Sequence, residues 1–212
     1  SKLPTIWGQA RTALFSAVSN KALWLAGLLE MLIYVSTYSI LAFLPLYALY
    51  VAGFDLIMVG LFFSIQEGAH LLTRPLGGRL GDRVGYLAAI NTGYLVLVVG
   101  LSLLPYATAH VELLAIAVVI GAGQGLIFPS TVAFVSRCVD THHLGAGMGF
   151  LGAVRNFGKV AGPLTAGALL TRMDYSQVFH LGGAVALLVV LTLLLLQKNY
   201  LEWIFSRTKL TN

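Results

Sequence analysis

The stretch GGRLGDRVG, residues 77–85, separates two apolar segments at residues 57–76 and 87–104. It holds two arginines, one aspartate and four glycines. Each neighbouring segment is close to the roughly 20 apolar residues that a helix needs to cross a hydrocarbon core. A short charged turn between two such segments predicts helices that cross a membrane and return.

The composition of the whole chain agrees with that prediction. Of its 212 residues, 58% are hydrophobic and 10% are charged, whereas an ordinary soluble domain has about 25% charged residues. The net charge of +5 does not indicate nucleic acid, because the cationic residues lie at the ends of apolar runs and not along a polar face. Membrane lipid is therefore the expected surrounding.

Six segments are long and apolar enough to be predicted as transmembrane helices, which makes the fold class all-α integral membrane. They are residues 22–51, 57–76, 87–104, 112–135, 144–170 and 178–197. The predicted organisation is a bundle over residues 22–197, preceded by a cytoplasmic linker or interfacial helix (1–21) and followed by a cytoplasmic tail (198–212). Pro45, Pro129 and Pro163 lie inside predicted spans, where proline tends to bend a helix.

Loop charges predict the orientation. Positive residues concentrate on the side of the membrane that holds both termini, whereas the short loops of the opposite side offer only Arg172. Because cytoplasmic loops carry the excess of Lys and Arg, both termini are predicted to be cytoplasmic.

The turn after the second segment resembles the G-x-L-x-D-R-x-G signature of the major facilitator superfamily. The matching residues are Gly78, Arg79, Asp82, Arg83 and Gly85. The resemblance implies that Asp82 latches two helical bundles together, with Arg79 and Arg83 as its ionic partners. The alternative is a positively charged turn that only sets topology.

The match departs from the signature at Tyr86, which stands where the family usually has a basic residue. This weakened copy is similar to the signature in the C-terminal half of such transporters. The polar stretch before the first span also resembles the end of the central loop that joins two halves.

Two glycine patterns extend the resemblance along the chain, the first in the fourth segment and the second in the fifth. They comprise Gly121, Gly125 and Pro129, and Gly158, Gly162 and Pro163. Small residues at such spacing let helix backbones approach closely in lipid. The resemblance implies one half of the family's fold, built from two inverted three-helix repeats, and is nearest to the bacterial multidrug and sugar efflux branch. It also implies a bacterial inner membrane location and a second six-helix half, from the same parent chain, from a separate chain or by self-pairing.

Polar residues deep in two spans are the first candidates for a site. Gln66 and Glu67 on the second, and Arg155 and Asn156 on the fifth, lie about ten residues from the cytoplasmic ends of their spans, or about 15 Å deep. Ionisable side chains at that depth usually face the protein interior and have a function. The two helices are equivalent in the inverted repeat, so an ion pair between Glu67 and Arg155 is predicted.

His70 and Arg74 continue the Glu67 face at i+3 and i+7. Such a stripe suits proton movement, because histidine changes charge near physiological pH. The alternative is a structural ion pair with Arg74 reaching toward the headgroups.

Glu30, Tyr34 and Tyr38 share a face of the first span. In the family the corresponding helix lines the central cavity, so these residues would suit an amphipathic or cationic substrate through charge and cation–π contact. Alternatively, Glu30 lies in the headgroup zone and the tyrosines only pack. Lys159, one turn beyond Arg155, is expected to line the cavity or to pair with the other half.

The function predicted from these features is secondary active transport of a small molecule by alternating access, with proton-coupled efflux implied by the resemblance. The alternative is a non-transporting membrane scaffold or accessory subunit. No enzyme is expected, because the sequence has no H-E-x-x-H, G-x-S-x-G or phosphate-binding loop motif. We expect no cofactor, no metal and no nucleic acid partner.

Overall fold

The computed structural model describes residues 21–139 and 144–208. These ranges contain six long α-helices and one short 3-10 helix. The helices are α1 (Lys21–Tyr50), α2 (Leu56–Val84), α3 (Tyr86–Leu103), the 3-10 helix (Leu104–Tyr106), α4 (His110–Cys138), α5 (Leu144–Leu170) and α6 (Tyr175–Thr208). The predicted all-α, six-helix class is confirmed. The segment predicted as a linker or interfacial helix lies, except for Lys21, outside the described residues.

Five of these helices are long and apolar enough to cross a membrane by length and composition. The exception is α5, which carries Arg155, Asn156 and Lys159 among many glycines. These polar residues lower the hydropathy of a helix that is otherwise long enough to span the bilayer.

The turn between α2 and α3 differs from the predicted loop. Residues 77–84 are helical and form the last two turns of α2, which ends at Gly85 with φ +94°. A residue other than glycine is strained at that φ, so a single glycine reverses the chain and no longer loop is needed. The charged signature is therefore displayed on a helix end.

Helix pairing follows the predicted repeat. The most extensive contacts join α2 to α4 and α1 to α5, and α3 packs against α4 and α6. In two inverted three-helix repeats, α1, α2 and α3 correspond to α4, α5 and α6. The α1–α5 pair therefore corresponds to the α4–α2 pair, and both pairs are present.

The core lies between α1, α3, α4, α6 and the first turns of α2, where Phe62, Tyr94 and Phe179 are fully buried. Elsewhere on their surfaces, α2 and α5 expose large apolar side chains such as Leu72 and Leu164. Exposed leucines on long helices suit a surface that is covered by lipid or by further protein. α6 continues to Thr208 and so extends into the predicted tail.

Candidate functional site

A cleft opens between α1, α2 and α4. Among its polar and aromatic lining residues are Glu30, Tyr34, Thr37, Tyr38, Gln66, Glu67, His70, Gln124 and Phe128. Six of these were predicted candidates from separate parts of the sequence: three from the first span and three from the second. The fold brings them together because α1 and α2 both pack against α4.

The buried ion pair of the bundle joins Glu30 on α1 to Arg155 on α5. Arg155 Nε donates to Glu30 Oε2 at 2.8 Å, and the Glu30 side chain is 1% exposed. The predicted pair between Glu67 and Arg155 is therefore wrong. The physical reason is the packing of the bundle, in which α5 pairs with α1 whereas α2 pairs with α4.

Glu67 lies at the rim of the cleft. Its side chain is 68% exposed and its Oε2 is 3.2 Å from His70 Nδ1 on the same helix. On the other side of the imidazole ring, Arg74 Nε donates to His70 Nε2 at 3.4 Å. The predicted polar stripe on α2 thus exists as a connected chain of side chains, and His70 is its centre.

Three cations alternate with three aromatic rings beside the cleft, and we call this set the cation–aromatic row. Its members, in spatial order, are Arg74, Phe128, Arg155, Tyr34, Lys159 and Tyr38. The Phe128 ring centroid is 5.0 Å from Arg74 Cζ and 4.5 Å from Arg155 Cζ. The row continues from Arg155 to Tyr34 at 5.6 Å, and Lys159 Nζ is 5.4 Å from Tyr34 and 5.5 Å from Tyr38. All these distances are within the range of cation–π attraction.

Three oxygen atoms in the cleft wall have no hydrogen-bond partner among the described residues. They are Glu30 Oε1, Thr37 Oγ1 and Gln66 Oε1, each on a side chain that is 1% exposed. The hydroxyl of Thr131 lies near Glu30 but donates to the carbonyl of Ile127 at 3.0 Å, so it does not pair with Glu30 Oε1. Buried polar groups are normally paired, so these oxygens are available to a bound group that donates hydrogen bonds.

The remaining deep polar candidates divide between the interior and the surface. Gln66 Nε2 donates to Gln124 Oε1 at 2.9 Å and so joins α2 to α4. Asn156 is exposed, outside the cleft. One residue of each pair predicted at mid-depth, Gln66 on α2 and Arg155 on α5, contacts a side chain on another helix. No such contact is found for Glu67 or Asn156 among the described residues.

The candidate packing glycines lie where helices approach most closely. A Cβ at Gly125 would be 2.6 Å from the carbonyl oxygen of His70, and a Cβ at Gly162 would be 2.9 Å from the backbone of Val35 and Ser39. Gly121 faces α2 and Gly158 faces α1 in the same way. Pro129 and Pro163 lie inside α4 and α5.

At the α2–α3 turn, Asp82 has a different partner from those predicted. The Tyr86 hydroxyl donates to Asp82 Oδ1 at 2.7 Å, and Arg137 Cζ of α4 lies 4.9 Å from the Tyr86 ring centroid. Within the described residues, Asp82 forms no ion pair with Arg79 or Arg83, which are both exposed. The chain reversal at Gly85 explains the contact, because it brings the Tyr86 ring at the start of α3 back against the end of α2 at Gly81.

Comparison with known proteins decides the family. The model of the Major Facilitator Superfamily matches residues 26–208, nearly the whole described chain. The chain belongs to the major facilitator superfamily. Membership makes this an integral membrane protein of a transporter family and not of an enzyme family.

Individual relatives agree at low identity. An uncharacterised MFS-type transporter of Mycobacterium tuberculosis is 31% identical over 57% of this chain and 21% of its own length. The multidrug resistance protein MdtG of Escherichia coli is 27% identical over 74% of this chain and 39% of its own length. A POT family transporter solved in complex with 5-aminolevulinic acid superimposes with a TM-score of 0.74 at 21% identity, covering 84% of this chain and 38% of that one. The chain thus spans about two fifths or less of the length of these proteins.

Within this superfamily chain, the sequence interpretation missed Phe128 and Thr37 in the cleft and the contact of Arg137 with Tyr86 at the α2–α3 turn. Phe128 and Thr37 are ordinary residues of apolar helices, and nothing in their local sequence distinguishes them. Phe128 and Arg137 are identified only by a neighbour on another helix, Arg155 and Tyr86 respectively, so no single-helix pattern could have found these two.

Proposed function

We propose that this chain supplies the C-terminal six-helix half of a secondary transporter that exports a small molecule in exchange for protons. A second six-helix half completes the transport pathway, and alternating access arises as the two halves rock about the cleft. The bundle over residues 22–197 lies in a bacterial inner membrane with both termini cytoplasmic.

The observation that carries this proposal is the 2.8 Å ion pair between Glu30 and Arg155 at the edge of the cleft. In a low-dielectric interior, removing one charge of such a pair leaves the other uncompensated at a cost of several kcal/mol. Protonation of Glu30 would do this to Arg155. A proton could therefore change the balance between two arrangements of α1 and α5, which is what coupling to a proton gradient requires.

Efflux as the direction is supported by the likeness to the multidrug resistance protein. The cleft also supports a small-molecule substrate, because its wall combines apolar and aromatic side chains with a few polar groups. Such a lining is typical of small-molecule sites.

The test is transport by the native protein containing this chain, reconstituted in proteoliposomes. Permanently charged and neutral aromatic solutes are supplied outside, and their uptake is measured with and without an inside-acid pH gradient, which drives an exporter that faces inside-out. We expect gradient-driven uptake that is lost in Glu30→Gln. Glu67→Gln is the matched control, because Glu67 is a carboxylate of the same cleft that is 68% exposed and not paired with Arg155.

Two results would overturn the proposal. If no solute moves under the gradient, the scaffold or accessory role is favoured. If Glu30→Gln retains full gradient dependence, the buried ion pair does not couple transport to protons.

A further inference from the structure

The charges beside the cleft are unequal. The cation–aromatic row contains Arg74, Arg155 and Lys159, yet Glu30 is the carboxylate that pairs with it, through Arg155. Glu67 is turned to solvent beside His70. Among the described residues, neither Arg74 nor Lys159 forms an ion pair. Glu67 at the rim of the cleft offsets one of these two charges, so the three cations and two carboxylates leave a net charge of one positive unit.

The aromatic rings that line the cleft are already occupied by the protein's own cations. Tyr34 lies within 5.6 Å of Arg155 and 5.4 Å of Lys159, and Phe128 lies near both arginines. A cationic ligand that stacked on these rings would face like charges, which disfavour its binding. The attraction expected from tyrosines beside Glu30 is therefore reversed by residues on α2 and α5.

The unpartnered oxygens specify a second property of the ligand. Glu30 Oε1 and Gln66 Oε1 accept hydrogen bonds, and the Thr37 hydroxyl accepts as well as donates. A ligand that reaches these buried atoms gains most if it carries a hydroxyl or N–H group, because an unpaired buried acceptor is costly.

We propose that the cleft selects an organic anion that also carries a hydrogen-bond donor. Its acidic group is held by Lys159 or by Arg74, which lie near opposite ends of the cation–aromatic row. Its apolar body lies along Tyr34, Tyr38 and Phe128, and its donor points to the buried oxygens. The inference rests on the proposed transport function and adds the charge class of the substrate.

The experiment is equilibrium dialysis with the native protein in nanodiscs, with empty nanodiscs as background. The probes are three isosteric phenols: 4-hydroxybenzenesulfonate (anion), 4-hydroxyphenyl methyl sulfone (neutral) and 4-hydroxyphenyltrimethylammonium (cation). Benzenesulfonate tests the donor, since it lacks the hydroxyl. We expect the anion to bind about tenfold more tightly than the neutral probe, and the cation to bind most weakly.

Substitutions test which residues produce the preference for the anionic probe. The double variant Lys159→Gln, Arg74→Gln should remove the preference for the anion, and Lys159→Arg should retain it because the charge is kept. Arg172→Gln is the control, since Arg172 is exposed at the turn after α5 and away from the cleft. Each variant is first checked as a monodisperse peak in size-exclusion chromatography, so that loss of binding is not loss of fold.

The result that overturns the inference is a cation that binds as tightly as the anion, or an anion preference that survives the double variant. The first result would mean that carboxylates elsewhere in the native protein neutralise Lys159 and Arg74. The second would mean that other cations hold the anion. Failure of the transport proposal gives a different result. If anions bind but no solute moves under the gradient, the transport proposal fails and the anion preference of the cleft stands. If only cations move under the gradient, the anion assignment fails and the transport proposal stands.

Discussion

Arg155 on α5 and Glu30 on α1 form the ion pair that ties these two helices together beside the cleft, with Nε and Oε2 2.8 Å apart. The pair is asymmetric, because the Glu30 side chain is 1% exposed and that of Arg155 is 18% exposed. Arg155 also lies against Phe128 and Tyr34. One side chain of α5 therefore contacts both α1 and α4, and its removal should affect stability and binding together.

Arg155→Ala is expected to destabilise the protein by about 3 kcal/mol, because it leaves the buried Glu30 carboxylate without a counter-charge. Thermal unfolding of the detergent-solubilised protein measures this loss. The double variant Glu30→Gln, Arg155→Gln should be more stable than Arg155→Ala, since no buried charge remains. Equal stability of the two would show that the cost comes from lost packing of Arg155 and not from the orphaned carboxylate.

Gly121→Ala is expected to destabilise the α2–α4 contact by about 1–3 kcal/mol. The new Cβ would meet the carbonyl oxygen of Gln66 and lie 3.0 Å from the Ala69 Cβ, so the two backbones must separate. Gly149→Ala is the matched control, because a Cβ at that helical position has no atom within 4 Å. The control should be neutral or stabilising by about 0.5 kcal/mol through reduced freedom of the unfolded chain. Thermal unfolding compares the two, and a Gly121→Ala variant as stable as Gly149→Ala would contradict the close-packing interpretation.

Tyr86→Phe tests whether tyrosine substitutes for the basic residue usual at this position. The change removes the 2.7 Å hydrogen bond to Asp82 but keeps the ring beside Arg137. We expect slower transport in proteoliposomes, with a smaller effect than that of Glu30→Gln. Transport should recover in Tyr86→Arg, because arginine places a charged donor across the same turn from Asp82. Unchanged transport in Tyr86→Phe would mean that the hydrogen bond between Tyr86 and Asp82 does not contribute to transport.

His70→Ala is expected to slow transport more than His70→Gln does. Arg74 Nε donates to His70 Nε2 at 3.4 Å, and His70 Nδ1 lies 3.2 Å from Glu67 Oε2. Glutamine keeps an acceptor for Arg74 whereas alanine removes it, so the two variants test the contact between these side chains.

Initial rates of transport in proteoliposomes measure both variants. Equal rates in His70→Ala and His70→Gln would show that the contact between His70 and Arg74 does not contribute to transport.

The spans, the fold class and the approach of the glycine-bearing helices were accessible from sequence, because each depends on residues within one segment. Long apolar runs require lipid or protein around them wherever they pack, and a helix face of Glu30, Tyr34 and Tyr38 follows from helical periodicity alone. The end of α2 was predicted wrongly because it depends on packing against other parts of the chain. Whether glycine-rich residues 77–84 form a loop or two helical turns depends on whether α4 and the Tyr86 ring pack against them, as they do at Gly77 and Gly81.

By itself, the sequence determined the six long helices and the list of polar side chains within them. Only the tertiary structure decided which of those side chains meet. Depth along a helix favoured Glu67 as the partner of Arg155 and left Glu30 to the cavity or the headgroup zone, since a linear pattern gives position along an axis but not the neighbour across it. Packing of α5 on α1 and of α4 on α2 decided the choice, because a charged pair forms where two helix faces touch and not where two residues share a depth.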